Sequence, residues 1–155
     1  MITALTVVAA VGCGLMAGIF YAFSGFVMTS LGRLAPEHGA TAMRAINEDI
    51  LNPLFLLSFM GTTLLSAILS VAAVVDWQAE SPWRLAGGLL YLVGSFGVTA
   101  ACNVPLNNRL AESDPATPDG ASFWAEYRRR WVAWNHVRSV ATTGAMAALI
   151  VSLTV

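Results

Sequence analysis

The side chains that could do chemistry fall into four short groups. They are Tyr21 with Ser24, Asn47 with Asn52, Asn103 with Asn107, and Trp134-Asn135-His136 with Arg138. An imidazole titrates near neutrality, so His136 is the candidate general base. Arg138 is a permanent cation that can hold an oxygen as it becomes negative. Asn103 and Asn107 stand four residues apart and so share one helical face, and they are counted with the candidate catalytic groups. Tyr21, Ser24, Asn47, Asn52, Trp134 and Asn135 are the candidate substrate-binding groups. One geometric conflict is visible at once. At 100° per residue, His136 and Arg138 point about 160° apart on a straight helix, whereas Asn135 and Arg138 share a face. Arg138 as an interfacial anchor and His136 as an interhelical hydrogen-bonding group stay open as structural alternatives.

Other chemistries are poorly served. A catalytic metal takes about three protein ligands, and no His, Cys, Asp and Glu set has ligand spacing. No metal and no cofactor is therefore expected; one axial histidine to haem is the single arrangement His136 leaves open. The chain has no G-x-G-x-x-G, no P-loop and no nucleophile elbow. Cys13 and Cys102 both lie in apolar stretches and read as free thiols rather than a disulfide framework. The net charge of −1 gives no reason to expect a nucleic-acid partner.

The elements that must position these residues are apolar. Of the 155 residues 57% are hydrophobic and only 11% charged, against roughly 25% charged in ordinary globular chains. Mean hydropathy is +0.68. From Met1 to Arg33 there is no charged side chain, longer than the ~20 residues a bilayer core requires. A signal peptide would want a basic start and a shorter apolar run, so a retained helix is expected. Further uncharged runs follow Asp49 and Arg84, opened by the cap-and-proline pairs Asn52-Pro53 and Ser81-Pro82. The last run, from Trp131, spans a bilayer only if Trp131 to Arg138 occupy its first turns.

The expectation is an all-α fold: one integral membrane domain, 1–155, forming a four-transmembrane-helix bundle with spans at about 2–30, 52–75, 83–107 and 131–154. The lipid bilayer is its first partner. Short amphipathic interfacial helices are expected in the two cytoplasmic loops, at 40–51 and at the aromatic, arginine-rich stretch 123–134. Arginines concentrate in those loops, so the positive-inside rule puts them in the cytoplasm and both termini on the outer face of the cell membrane. Gly14 with Gly18, and Gly97 with Ala101, offer close helix packing, with homo-oligomer formation as a second use.

With that topology every polar group sits at one depth, the cytoplasmic end. Intramembrane polar groups mark function or buried pairing. Pro105 lies between Asn103 and Asn107, removes one helical hydrogen bond and frees the Ala101 carbonyl. The alternative is that Asn103 to Asn107 is the frayed end of a span.

The segments Gly18-Ile-Phe-Tyr-Ala-Phe-Ser24 with Val27-Met28, Ala42-Met-Arg-Ala-Ile-Asn47 and Asn52-Pro-Leu-Phe55, Asn103-Val-Pro-Leu-Asn107, and Trp131-x-x-Trp134-Asn-His-Val-Arg138 occur here in order. In these the chain resembles the anthrone oxygenase-like family of small integral membrane proteins over nearly its whole length. The resemblance implies oxidation of an anthrone-like polyketide to a quinone. Such a substrate has an acidic C–H bond whose carbanion itself reduces O₂. His136 would then take the proton while Arg138 with Asn103 or Asn107 holds the enolate oxygen. The competing reading is a non-catalytic membrane protein: a scaffold, a partner subunit or a small-molecule binder.

Overall fold

The computed structural model describes residues 1–155, and every regular element in it is helical. Five helices follow one another: α1 (Ile2–Leu31), α2 (Pro36–Asp49), α3 (Pro53–Val75), α4 (Ser81–Glu112) and α5 (Pro118–Val151). α2 to α5 each carry a proline in the first turn, where its missing N–H leaves no bond unmade. Asn52 caps α3 by accepting from the Phe55 N–H at 3.0 Å, and Thr117 caps α5 by accepting from the Gly120 N–H at 3.1 Å. Ser81 does not cap α4. It is the first residue of that helix, and its hydroxyl turns back to accept from the Gln78 N–H at 2.9 Å.

Three helices, α1, α3 and α4, are long and apolar enough to cross a membrane, with mean hydropathies of 2.1, 2.0 and 1.7 over their best windows. α5 has 34 residues but is not among them, because charge continues along it as far as Arg138. The packing is the reverse of a water-soluble protein. α3 turns Leu54, Leu57, Leu64, Val71 and Val75 outward while it buries Thr62, Ser66 and Ser70. Water-exposed monomers do not carry apolar surface on this scale. Two of these buried hydroxyls are satisfied within their own helix, Thr62 donating to the Ser58 carbonyl at 2.7 Å and Ser70 to the Ser66 carbonyl at 2.8 Å, while the Ser66 hydroxyl has no partner.

The four long helices pack side by side, α1 on α3 and α5, α4 on α3 and α5. Close approach is made at Gly88, where a Cβ would run into Ser66 and Ser70, and at Gly12, where it would run into Thr62. The glycine pairs expected to form such seams do not. Gly14 meets only the Met146 sulfur, Gly18 faces open space, and Gly97 touches no other helix. The rotation of α1 puts Gly12, rather than Gly18, against its neighbour.

α2 lies at one end of the molecule, over α4 and α5. Ala40 and Met43 are fully buried there with Leu106, Leu110, Trp124, Tyr127 and Trp131. The amphipathic pattern at 40–51 therefore belongs to a helix that spends its apolar stripe on protein. Arg44 fixes it in place: Nε donates to the Leu110 carbonyl at 2.8 Å, and Nη2 donates to the Ser113 hydroxyl at 3.2 Å and to the Ser113 carbonyl. The Leu110 carbonyl also accepts from the Ser113 hydroxyl at 2.9 Å, so Arg44 joins a cap that Ser113 has begun at the C-terminus of α4.

Two helices are locally widened into π turns, α1 at Phe23–Val27 and α4 at Leu92–Gly97 and Thr99–Asn103. Pro105 follows directly. It cannot donate to the Ala101 carbonyl, and α4 meets this by widening before the proline and running on to Glu112.

Candidate functional site

A cavity of about 310 Å³ opens where α1, α2, α4 and α5 meet beside the first turn of α3. Its apolar wall is built from Ile19, Phe20 and Phe23 of α1, Ile46 and Ile50 of α2, Phe55 of α3 and Trp131 of α5. Its polar wall comes from Asn47 of α2, Thr99, Asn103 and Asn107 of α4, and Arg138 of α5. Thr99, Asn103 and Asn107 recur every fourth residue and so line one face of α4. The π turn Thr99–Asn103 carries the first two of them, and the π turn of α1 begins at Phe23.

Arg138 dominates the electrostatics. It is 5% exposed and has no carboxylate partner, since the ion pairs of the chain are Glu37–His38, Glu80–Arg84 and Glu126–Arg130. Its charge is met by dipoles and ring faces instead. Nη2 donates to Asn135 Oδ1 at 2.6 Å and Nη1 to Thr99 Oγ1 at 3.1 Å. The guanidinium carbon lies 4.3 Å from the Phe20 ring centre and 5.1 Å from that of Trp131. Its Nε has no partner. A buried cation left without a counter-charge is costly, and ring faces offset only part of that. The site is therefore biased toward a ligand that brings negative charge.

The amides around it are held in fixed senses. Asn107 Oδ1 accepts from the Tyr127 hydroxyl and from Trp131 Nε1, both at 2.9 Å, which leaves its Nδ2 as a donor toward the cavity. Asn103 is 1% exposed; its Nδ2 reaches the Trp131 carbonyl at 3.3 Å and its Oδ1 has no partner. Asn135 stands behind Arg138 and donates to the Phe20 carbonyl at 2.7 Å and to Ser24 Oγ at 2.6 Å. Burial pushes the Tyr127 phenol above its ordinary value, with the Asn47 amide and the Arg138 charge pulling the other way. It remains protonated and remains a donor to Asn107.

The structure thus brings together Arg138, Asn103, Asn107 and Asn47 on the cavity wall, with Asn135 and Ser24 bonded behind them. It does not bring His136 there. That residue is exposed on α5, one position round from the buried Asn135 and on the far side of the helix from Arg138. The general base expected from the sequence therefore has no access to the cavity. Tyr21 and Trp134 are 70% and 40% exposed and do not line the cavity, and Asn52 is a helix cap that also donates to the Asp49 carbonyl at 2.9 Å.

Phe20, Thr99, Trp131 and Glu48 are wall residues the sequence reading passed over. Thr99 and Trp131 carried a signal, each lying four residues before a named asparagine. Phe20 carried none. Glu48 is the single carboxylate on the wall, and no three His, Cys, Asp or Glu side chains converge to hold a metal.

The model of the anthrone oxygenase family matches residues 55–148, more than half of the chain. The chain belongs to the anthrone oxygenase family. The family match takes in α4 and nearly all of α3 and α5, and so Thr99, Asn103, Asn107, Trp131, Asn135 and Arg138. The segments from Gly18 to Asn52 that also suggested the family precede the matched stretch. No curated protein and no solved structure matches the chain.

Proposed function

We propose that this is a four-span membrane protein whose cavity binds a flat, apolar aromatic ketone with an acidic C–H bond and promotes its oxidation by O₂. The observation that carries this reading is Arg138, a buried cation without a carboxylate, set between aromatic faces and amides on a cavity wall. An anthrone is neutral and apolar until it loses a proton from the carbon opposite its carbonyl. The charge then moves to the carbonyl oxygen, where Arg138 and the free Nδ2 of Asn107 stabilise it. Stabilising the anion more than the neutral ketone lowers the barrier to its formation. Glu48 is the carboxylate positioned on the wall to take the proton.

The carbanion then forms a C–O bond to O₂. The resulting hydroperoxide loses water to give the second carbonyl, so anthrone and O₂ become anthraquinone and H₂O, with O₂ the oxidant. The chain's part is to favour the enolate and to keep it among apolar walls. α1, α3 and α4 supply three spans. α5 supplies the fourth with Arg138 turned away from lipid, because that side chain is covered by α1 and α4.

Purified protein in detergent, given anthrone and air, should form quinone faster than the spontaneous reaction. Arg138→Gln should lower the rate by about 10²-fold, the usual effect of removing an oxyanion donor. Asn107→Ala should lower it less, and His136→Ala should leave it unchanged. A folded protein that does not accelerate quinone formation sinks the enzymatic reading. Anthrone binding without acceleration would point instead to a non-catalytic binder, a reading favoured by the structural bonds that already occupy Asn52 and Asn135.

A further inference from the structure

A second cleft, of about 470 Å³, lies between the end of α1 and the first half of α5 and shares no residue with the cavity. Arg33, Arg128 and Arg129 border it together with Ser24, Thr29, Met28 and Val132. No carboxylate borders it, and none of the three arginines enters an ion pair, whereas the adjacent Arg130 is held by Glu126 at 2.8 Å. Arg128 is placed with care. Its guanidinium lies over the Trp124 ring at 5.7 Å, its Nε is buried without a partner, and it occupies the space that a Cβ on Gly32 would need. Ser24 accepts from Asn135 and so keeps its own O–H to donate.

We propose that this cleft binds the phosphate of an anionic membrane-lipid headgroup. Three cations and two hydroxyls converge on one opening, the donor set that a phosphate takes. The surface around it argues for a lipid rather than a soluble phosphate. Phe26 and Thr29 lie in the last turns of α1 and Arg33 in the turn that follows it, and Ala133 and Val137 follow Arg129 at four-residue intervals on α5. Phe26 is 59% and Val137 44% exposed, so apolar surface runs on from the arginines for acyl chains to cover. The site therefore stands where apolar exterior gives way to charge, the level of a headgroup. This rests on α1 crossing the membrane, which is read separately by alkaline extraction of membranes.

The test is native mass spectrometry of the protein released from micelles containing equal phosphatidylglycerol and phosphatidylcholine. The wild type should retain phosphatidylglycerol preferentially. Each arginine near such a surface is worth roughly a fivefold change, so the doubly substituted Arg128→Gln, Arg129→Gln protein should lose at least tenfold of that preference. Gly32→Ala keeps every charge but displaces the Arg128 side chain, and should lose part of the preference. Arg130→Gln should keep it all. Equal retention of both lipids, or a preference untouched by the double substitution, overturns the proposal. Release of the lipid by millimolar inorganic phosphate would also overturn it, by showing a site for the free ion. If the protein were extracted at alkaline pH, the membrane reading itself would fail, a separate result.

Discussion

At the residue scale the cavity is organised by how Arg138 is solvated. Asn135, Thr99, Phe20 and Trp131 give it dipoles and π faces but no negative charge. A carboxylate in their place would have neutralised the site and removed its preference for an anion. The hydrogen bonds behind the wall have a consequence of their own at Tyr127. Its phenol is held above the ordinary value by burial, so the folded state keeps a proton that the unfolded chain releases above about pH 10. That contribution to stability is complete below pH 10 and is lost as the pH rises from there toward the folded value. Tyr127→Phe should cost about 1 kcal/mol at pH 7 by removing the bond to Asn107. It should also flatten the alkaline fall in stability, measured by thermal unfolding from pH 9 to 11; an unchanged alkaline slope would contradict the placement of the phenol. Trp131 would still hold Asn107 in that variant.

Much of this constellation was legible in residue types: four of the polar side chains singled out in the sequence do meet on one wall. What residue types could not give was orientation. His136 is the best general base in the chain by chemistry, and the helical offset that counted against it turns it outward. Phe20 was invisible because its role, a ring face beneath a guanidinium, leaves no mark in an apolar run.

At the element scale the unit that shapes the site is the junction of α2 with α4. Arg44 supplies donors to the last carbonyls of α4, and Met43 inserts beneath it among Trp124 and Tyr127. Arg44→Met keeps the apolar stem and deletes the donors. It should destabilise the protein by about 1–3 kcal/mol, the usual worth of hydrogen bonds from a charged donor. Amide hydrogen exchange should rise in residues 36–49 and 106–113 while α1 and α3 stay protected. Uniform exchange across the chain would show that α2 is not held by this contact. Because α2 carries Asn47 and Glu48 to the cavity, the same variant should weaken binding of an aromatic ketone. The amphipathic spacing of α2 was readable, but not its partner, since a stripe of Ala40, Met43 and Ile46 suits lipid and protein equally. Pro105 was readable as a disturbance of α4. The helix carries π turns ahead of it, and the second of them holds Asn103, which donates to the Trp131 carbonyl of α5.

At the scale of the whole molecule, composition pointed to a membrane, and the outward leucines and valines of α3 agree with it. The fourth span is the part that composition leaves weakest. If α5 crosses, Ala35→Cys and Thr117→Cys should react with an impermeant maleimide only after the membrane is opened, and Gln78→Cys and Thr154→Cys should react from outside. Were Thr154→Cys to react on the same side as Thr117→Cys, α5 would not cross. The ambiguity is physical, because Arg138, the charge furthest along α5, is covered by neighbouring helices, and no property of the isolated segment records that.

The burial of Arg138 under α1 and α4 also bears on how the protein is made. α5 leaves the ribosome after α1 to α4, and alone in lipid it would present a bare guanidinium to hydrocarbon, where a charge is costly. The residues that shelter it, Phe20 and Thr99, belong to helices synthesised earlier. If α5 crosses the bilayer, its insertion is therefore coupled to assembly. It then settles only onto partners already in place, and a defect in α1 would strand α5 outside the bilayer.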